Sequence, residues 1–365
     1  MKNDIILHIS PNQFPALQID QPTKKIWLEL SEGVKEYHII ARSLNNKFED
    51  YKEGNLYLHL LPKITKRQFV FFFSSWFMIY LILKYKINKF VVQCPINGGF
   101  TAAIISKVLK IPFLVEIHGE EYFRYFERKT FLHKLFDWVQ RFTFNQAKII
   151  RSLSPKMTSK LRSQGISGEI IEIPNRVNLK LFNKNKSHFS ISNPLKVVSV
   201  GRFVTAKNYE TLIKVCLKNN YSLVLIGGGD KEGIYENLIS NSKSDIKLID
   251  WIAQEDLMNE VVQSDIYIQS SISEGVPRAI IEAMAMKMPI ISTKAGSVEG
   301  ILIDGFNSLL VDDPMDLNEF EGCIDKLKND GVLRKLIAEN AYNDATIKYE
   351  WTKSFENYKK VISKL

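Results

Sequence analysis

Cysteine is scarce in this chain. Cys94, Cys216 and Cys323 are the three present among 365 residues, far apart and without a Cys-x-x-Cys pair. That argues against a disulfide framework and a structural zinc site, and for a reducing compartment. A small-residue cleavage site is missing after Met1-Lys2-Asn3-Asp4-Ile5, so no secretory signal is expected and a cytoplasmic location is. An apolar run of membrane-crossing length is missing too. Phe69 to Leu83 has no formal charge over fifteen residues, but as a helix it would reach about 22 Å against a hydrocarbon core of about 30 Å. Two readings remain for it. It is either a buried helix of the first domain, or a helix lying in a membrane interface with its lysine flank (Lys84, Lys86, Lys89) on anionic headgroups. No low-complexity tract or short repeat interrupts the chain.

Charge of one sign looks only mildly in excess, with 49 Lys plus Arg against 40 Asp plus Glu and a net of +9. Split at residue 185, the imbalance is sharper. Residues 1–185 carry 28 basic and 15 acidic side chains, net +13; residues 186–365 carry 21 and 25, net −4. Nucleic-acid binding does not account for the basic half. Its cations are dispersed, and no helix-turn-helix, zinc-finger or RNA-binding aromatic signature accompanies them. A peripheral contact with an anionic membrane is the better expectation.

What is present is a rhythm of short apolar runs and longer helical segments. Strands are expected at Ile5–Ile9, Tyr37–Ala41, Leu56–Leu61, Phe90–Gln93, Phe113–Ile117 and Ile170–Ile173. The pattern restarts with Leu195–Val200, Tyr221–Ile226, Ile246–Leu248, Ile266–Gln269, Pro289–Ser292 and Ser308–Val311. Runs apolar on both faces and separated by helices indicate parallel sheets covered on both sides. The polar, turn-rich stretch 183–195 reads as a linker. The expected fold is therefore α/β, two doubly wound Rossmann-like units. The first spans 1–185 with a returning segment from about 349 to 365, the second 186–348.

The informative residues lie mostly in the second half. Ser273-Glu274-Gly275-Val276-Pro277-Arg278-Ala279 leads into a helix carrying Glu282. Free amides at such a helix start suit an anion, and paired carboxylates suit sugar or ribose hydroxyls. The plain alternative is an ordinary acidic bias near a helix start. Gly201-Arg202 follows a strand, with Lys207 five residues on: two cations in a glycine-opened loop that suit a pyrophosphate, or two solvated loop cations. Gly227-Gly228-Gly229 ends another strand and allows close backbone approach. It is not a dinucleotide fingerprint, because Glu232 stands where the third glycine belongs.

Together, Gly201-Arg202 with Lys207, the Gly227–Gly229 turn, Ser273-Glu-Gly-Val-Pro with Glu282-Ala-Met, Pro289–Thr293, Gly296 and Asp304–Val311 resemble the retaining glycosyltransferases of family 4, which have the GT-B fold. The resemblance covers residues 195–315 closely. It is weaker in the first half, at His118-Gly119 and Ile173–Val177. It implies two facing Rossmann-like domains, with a last helix that crosses back to the first.

The same resemblance implies roles. Arg202 and Lys207 would hold the donor diphosphate, Glu274 the sugar hydroxyls, and Glu282 the ribose. Amides from Gly275, Val276, Arg278 and Ala279 would contact sugar and phosphate, with Gly227 and Gly229 lining the donor site. Trp251 and Ile252 would lie beside the base. His118 would approach the transferred sugar or the acceptor; otherwise it merely ends a strand. The implied reaction moves a sugar from a nucleotide-diphosphate sugar to a glycan or a polyprenyl- or lipid-linked acceptor of a surface polysaccharide, lipopolysaccharide or capsule. Retention and no required metal or cofactor are implied with it. The rivals are another GT-B enzyme (a sugar-nucleotide epimerase or a phosphorylase, whose pyridoxal lysine is not located) and an inactive glycan- or membrane-binding subunit. Departures fall at Ser10–Pro15, where relatives have a glycine pair, at Pro174–Asn178, and at Trp251, Ser297 and Ser308.

Overall fold

The computed structural model describes every residue except 1, 18–21, 63–74, 119, 176, 180, 241, 243, 275 and 276. The chain divides into two compact units, residues 1–173 with 356–365, and residues 174–355.

In the first unit the described strands are β1 (Ile5–Phe14), β2 (Glu36–Ser43), β3 (Glu49–Glu53), β4 (Leu56–Leu61), β5 (Lys89–Val92), β6 (Phe113–Glu116), β7 (Ile149–Ser152) and β8 (Glu169–Glu172). They form one sheet in the order β3-β4-β2-β1-β5-β6-β7-β8. Every pairing is parallel except β3 with β4. The central strands β5, β6 and β7 are buried throughout, as expected of a sheet covered on both faces. β3 was not legible because Glu-Asp-Tyr-Lys-Glu has no apolar alternation. Its charges protect an exposed edge instead.

The second unit holds β9 (Lys196–Val200), β10 (Ser222–Ile226), β11 (Ile246–Ile249), β12 (Ile266–Gln269), β13 (Ile290–Thr293) and β14 (Leu309–Val311). All are parallel, in the order β11-β10-β9-β12-β13-β14. The chain builds outward from β9 and then returns to its other side with β12. The strand order therefore reverses between β9 and β12, the position where ligands enter such sheets. Val197, Leu223, Ile268 and Ile291 from four strands pack with helix residues such as Leu212 and Ile324 in one core.

Two expectations need correction. The stretch 183–195 is not a free linker but part of the second unit. The Lys186 amide donates to the Met286 carbonyl at 2.9 Å, and its buried ammonium donates to the Ser264 carbonyl at 2.6 Å. Arg334 donates to the Phe189 carbonyl. Polar residues that read as solvated are held by specific buried partners. Lys89 is not a headgroup-facing lysine either. It is buried, 2.9 Å from Asp4 Oδ2, and donates to the carbonyls of Ile362 and Ser363. Of the expected helix at Phe69–Leu83, residues 69–74 lie outside the described residues. The rest is Ser75–Tyr85. Among the described residues no helix is long and apolar enough to cross a membrane.

Candidate active site

The loops after β9 and β12 carry the central pair. Past Val200 the chain turns through Gly201-Arg202 into a short 3-10 turn, Thr205–Lys207. Past Gln269 it runs through Ser270 and Ser271 to Glu274. Three hydrogen bonds hold the loops in register. Ser270 Oγ donates to the carbonyls of Lys207 and Asn208 at 2.9 and 3.2 Å, and the Ile272 amide to the Ala206 carbonyl at 2.8 Å. Lys207 Nζ then lies 2.5 Å from Glu274 Oε1, both side chains mostly buried.

The same carboxylate oxygen accepts from Gln269 Nε2 at 2.8 Å and Ser271 Oγ at 2.5 Å. Gln269 is fixed in turn by the Tyr267 hydroxyl, which donates to its Oε1 at 2.8 Å. Burial, with the Glu274 and Glu282 carboxylates nearby, pushes the Tyr267 hydroxyl well up, so it remains a donor. Gln269, Ser271 and Tyr267 escaped sequence reasoning; the uncharged polar residues at the end of the apolar β12 run were the available signal. Arg202 is exposed and has no ion pair among the described residues.

The glycine turn supports this loop. A Cβ on Gly227 (φ 136°) would overlap the Gly201 carbonyl, and one on Gly229 (φ 154°) would come within 2.7 Å of the Phe203 carbonyl. The Phe203 amide donates to the Gly228 carbonyl at 3.0 Å. These glycines therefore let the β9 and β10 loops meet backbone to backbone. Beyond them, Trp251 is exposed and Ile252 half-buried in the loop after β11. Gly296 acts similarly on the other side. At φ 61° it sits against Glu274, whose carbonyl any Cβ would overlap.

The helix Arg278–Ala285 begins with Pro277 at its N-cap and no side-chain cap, leaving the Arg278 and Ala279 amides in its first turn. Gly275 and Val276 lie outside the described residues. Glu282 is mostly buried, 3.6 Å from Arg278 one turn earlier. Burial raises its carboxyl pKa, against the pull of Arg278.

In the first unit, His118 Nε2 lies 2.8 Å from Glu116 Oε2 at the end of β6; Gly119 is outside the described residues. The other Glu116 oxygen accepts from Arg151 at 2.9 Å and from the Tyr358 hydroxyl at 2.5 Å. Burial opposes ionisation of Glu116, but Arg151 and His118 outweigh it and hold the carboxyl well below its usual range. His8 is buried beside this group with Nδ1 2.7 Å from the Tyr37 hydroxyl and, among the described residues, no hydrogen-bond partner at Nε2. Burial brings its pKa down to about 4. Sequence reading found His118 alone. Glu116 lies inside an apolar strand and Tyr358 is 242 residues away, so spacing could not link them. Among the described residues no group of three or more His, Cys, Asp and Glu is placed to hold a metal.

Comparison with known proteins also divides the chain in two, at residue 181. A model described as glycosyl transferases group 1 matches residues 182–344, and one described as Glycosyltransferase Family 4 matches residues 30–181. An uncharacterized glycosyltransferase of Methanocaldococcus jannaschii is 26% identical over 352 residues, 90% of each chain. A lipopolysaccharide core biosynthesis glycosyltransferase of Rhizobium meliloti is 28% identical over 149 residues, 40% of this chain and 43% of its own. Among solved structures, the Anabaena protein HepE in complex with UDP and glucose superposes over 100% of both chains with a TM-score of 0.74 at 14% identity, a likeness of fold.

Proposed function

Because the chain belongs to the group 1 glycosyltransferases, its two family models together matching residues 30–344, we propose that it moves a sugar from a nucleotide-diphosphate donor to a glycan or lipid-linked acceptor in surface polysaccharide or lipopolysaccharide synthesis. The observation that carries the proposal is the Lys207–Glu274 pair at the β9/β12 reversal, in a loop whose Arg202 has no ion pair among the described residues. A name among the relatives supports the pathway, and the UDP and glucose of the HepE complex support the donor class.

In this reading Arg202 and Lys207 take the diphosphate, and Glu274, released from Lys207, accepts from sugar hydroxyls. Glu282 binds the ribose, Trp251 and Ile252 flank the base, and the amides at residues 275–279 complete the donor site. His118 approaches the sugar or the acceptor. The reaction proceeds with retention and without a metal. The acceptor oxygen bonds to the anomeric carbon on the face from which the donor's carbon–oxygen bond breaks, and the departing phosphate oxygen takes the acceptor proton. The cations stabilise charge as it develops on that leaving group. The protein works in the cytoplasm at the inner membrane face.

A thermal-shift screen across UDP-, GDP- and ADP-sugars tests the donor, since a ligand bound only by the folded state raises the melting temperature. Release of a nucleoside diphosphate together with a longer glycan, undiminished by EDTA, is the expected product result. Absence of any nucleotide binding by calorimetry would instead favour an inactive binding subunit.

A further inference from the structure

The helix Ser75–Tyr85 is apolar on both sides. Phe77, Met78, Leu81 and Ile82 are buried, while Trp76, Ile79, Tyr80 and Leu83 form an exposed stripe at i, i+3, i+4 and i+7. A helix apolar all round is normally enclosed. This one leaves half its apolar surface in solvent, and its neighbours continue the surface. The crossovers β4 to β5, β5 to β6 and β6 to β7 all advance in one direction along the sheet. Right-handed connections therefore place Ser75–Tyr85, Gly99–Leu109 and Phe131–Gln146 on one face. Ser75–Tyr85 packs beside Gly99–Leu109, and that helix beside Phe131–Gln146, where the Phe100 and Trp138 rings are 5.7 Å apart. Trp76 is 70% exposed, Leu83 72%, Val108 71% and Phe131 80%.

The charges on this face have one sign. The three helices hold a single acidic residue, Asp137, which is buried and ion-paired with Arg128 at 2.5 Å and Arg141 at 2.8 Å. Lys84, Lys86, Lys107 and Lys110 are exposed, and none pairs with a described carboxylate. Lys84 donates to the Tyr80 hydroxyl at 3.0 Å and sits 5.0 Å from the Tyr85 ring centre; Lys107 lies 5.8 Å from that of Phe142.

We propose that this three-helix face docks on an anionic lipid bilayer, its helices in the plane of the interface, Trp76, Leu83, Val108 and Phe131 inserted, and the lysines on lipid phosphates. An apolar face alone would suit many partners. Unopposed lysines interleaved with aromatic and aliphatic side chains select a surface apolar at depth and negative above it. The proposal deepens the membrane part of the function proposed above and rests on that reading for its purpose, but not for its observations.

The test is co-sedimentation of the full chain with vesicles of phosphatidylcholine, alone or with about one third phosphatidylglycerol. The intact chain binds the anionic vesicles and loses them as salt is raised. Trp76→Ser/Leu83→Ser and, separately, Lys84→Glu/Lys86→Glu weaken binding about tenfold. Melting temperature and binding of UDP, GDP and ADP by calorimetry stay unchanged, because neither pair belongs to the core or the donor loops. Failure of the intact chain to bind, equal binding to neutral vesicles, or indifference to both variants overturns the proposal. So does a dimer that Trp76→Ser/Leu83→Ser converts to monomer, which makes the face a self-contact. Vesicle binding without binding of UDP, GDP or ADP leaves the docking face standing and counts against the donor reading alone.

Discussion

Lys207 Nζ and Glu274 Oε1 lie 2.5 Å apart, and that one oxygen also takes the hydrogen bonds of Gln269 and Ser271. Its partner oxygen has none of these three. The site thus sets its cation and its carboxylate against each other, and a donor offering both a diphosphate and hydroxyls would separate them.

Arg202→Ala and Glu274→Ala should each lower sugar transfer about 10²- to 10³-fold, the usual cost of losing one preorganised electrostatic contact to a developing charge. Arg202 is exposed and has no ion pair among the described residues, so its variant should melt with the parent chain. Full turnover by either variant with a confirmed donor would sink the assignment of this site.

Gly296→Ala should destabilise the second unit more than Gly305→Ala. Both glycines have positive φ, 61° and 70°, and incur similar backbone strain of about 1–2 kcal/mol with a side chain. Only Gly296 also has the Glu274 carbonyl where Cβ would go, whereas nothing lies within 4 Å at Gly305. Chemical denaturation gives the difference. Equal losses would show that contact with Glu274 does not matter.

Acid should destabilise the first unit before its carboxylates titrate. His8 has a folded pKa of about 4 against 6.5 for the free side chain, because burial disfavours the cation. Between those values the unfolded chain binds the extra proton, so stability falls as pH drops from about 6.5 to 4, by on the order of 3 kcal/mol from His8; His38, whose pKa burial also brings down to about 4, acts in the same direction. Glu116 shifts the other way. Its contribution is present above the ordinary carboxylate pKa and disappears only as pH falls through its depressed folded value. Melting curves of the chain and His8→Leu across this range check the sign; the variant should show the shallower slope.

Glu116→Gln should cost about 3–5 kcal/mol, since it removes the buried carboxylate that Arg151, Tyr358 and His118 share. Tyr358→Phe removes one hydrogen bond and should cost about 1–2 kcal/mol. Urea unfolding distinguishes them. Similar small losses would mean that Arg151 finds another acceptor.

Legibility followed the range of the interactions. Strands such as Leu56–Leu61 could be read to the residue, because burial on both faces demands a largely apolar run, here broken only by His59. Lys207 and Glu274 stood out because charged side chains immediately after such runs are conspicuous. The Gly201–Gly227 and Gly296–Glu274 contacts were invisible, since a glycine records only that space is needed, not what fills it. The bonds that hold 183–195 to the second unit were equally invisible, because they involve Ser264, Met286 and Arg334, far along the chain.

The chain leaves the first unit at Ile173 and re-enters it at Glu356, and Val177 bridges to Glu350 within the second. The second unit is therefore an insertion with adjoining ends. During synthesis it is fully translated before Tyr358 exists to meet Glu116. Domains usually complete in the order they are made. Here the unit begun first is finished last, waiting on a tail that the ribosome supplies only after its neighbour is whole.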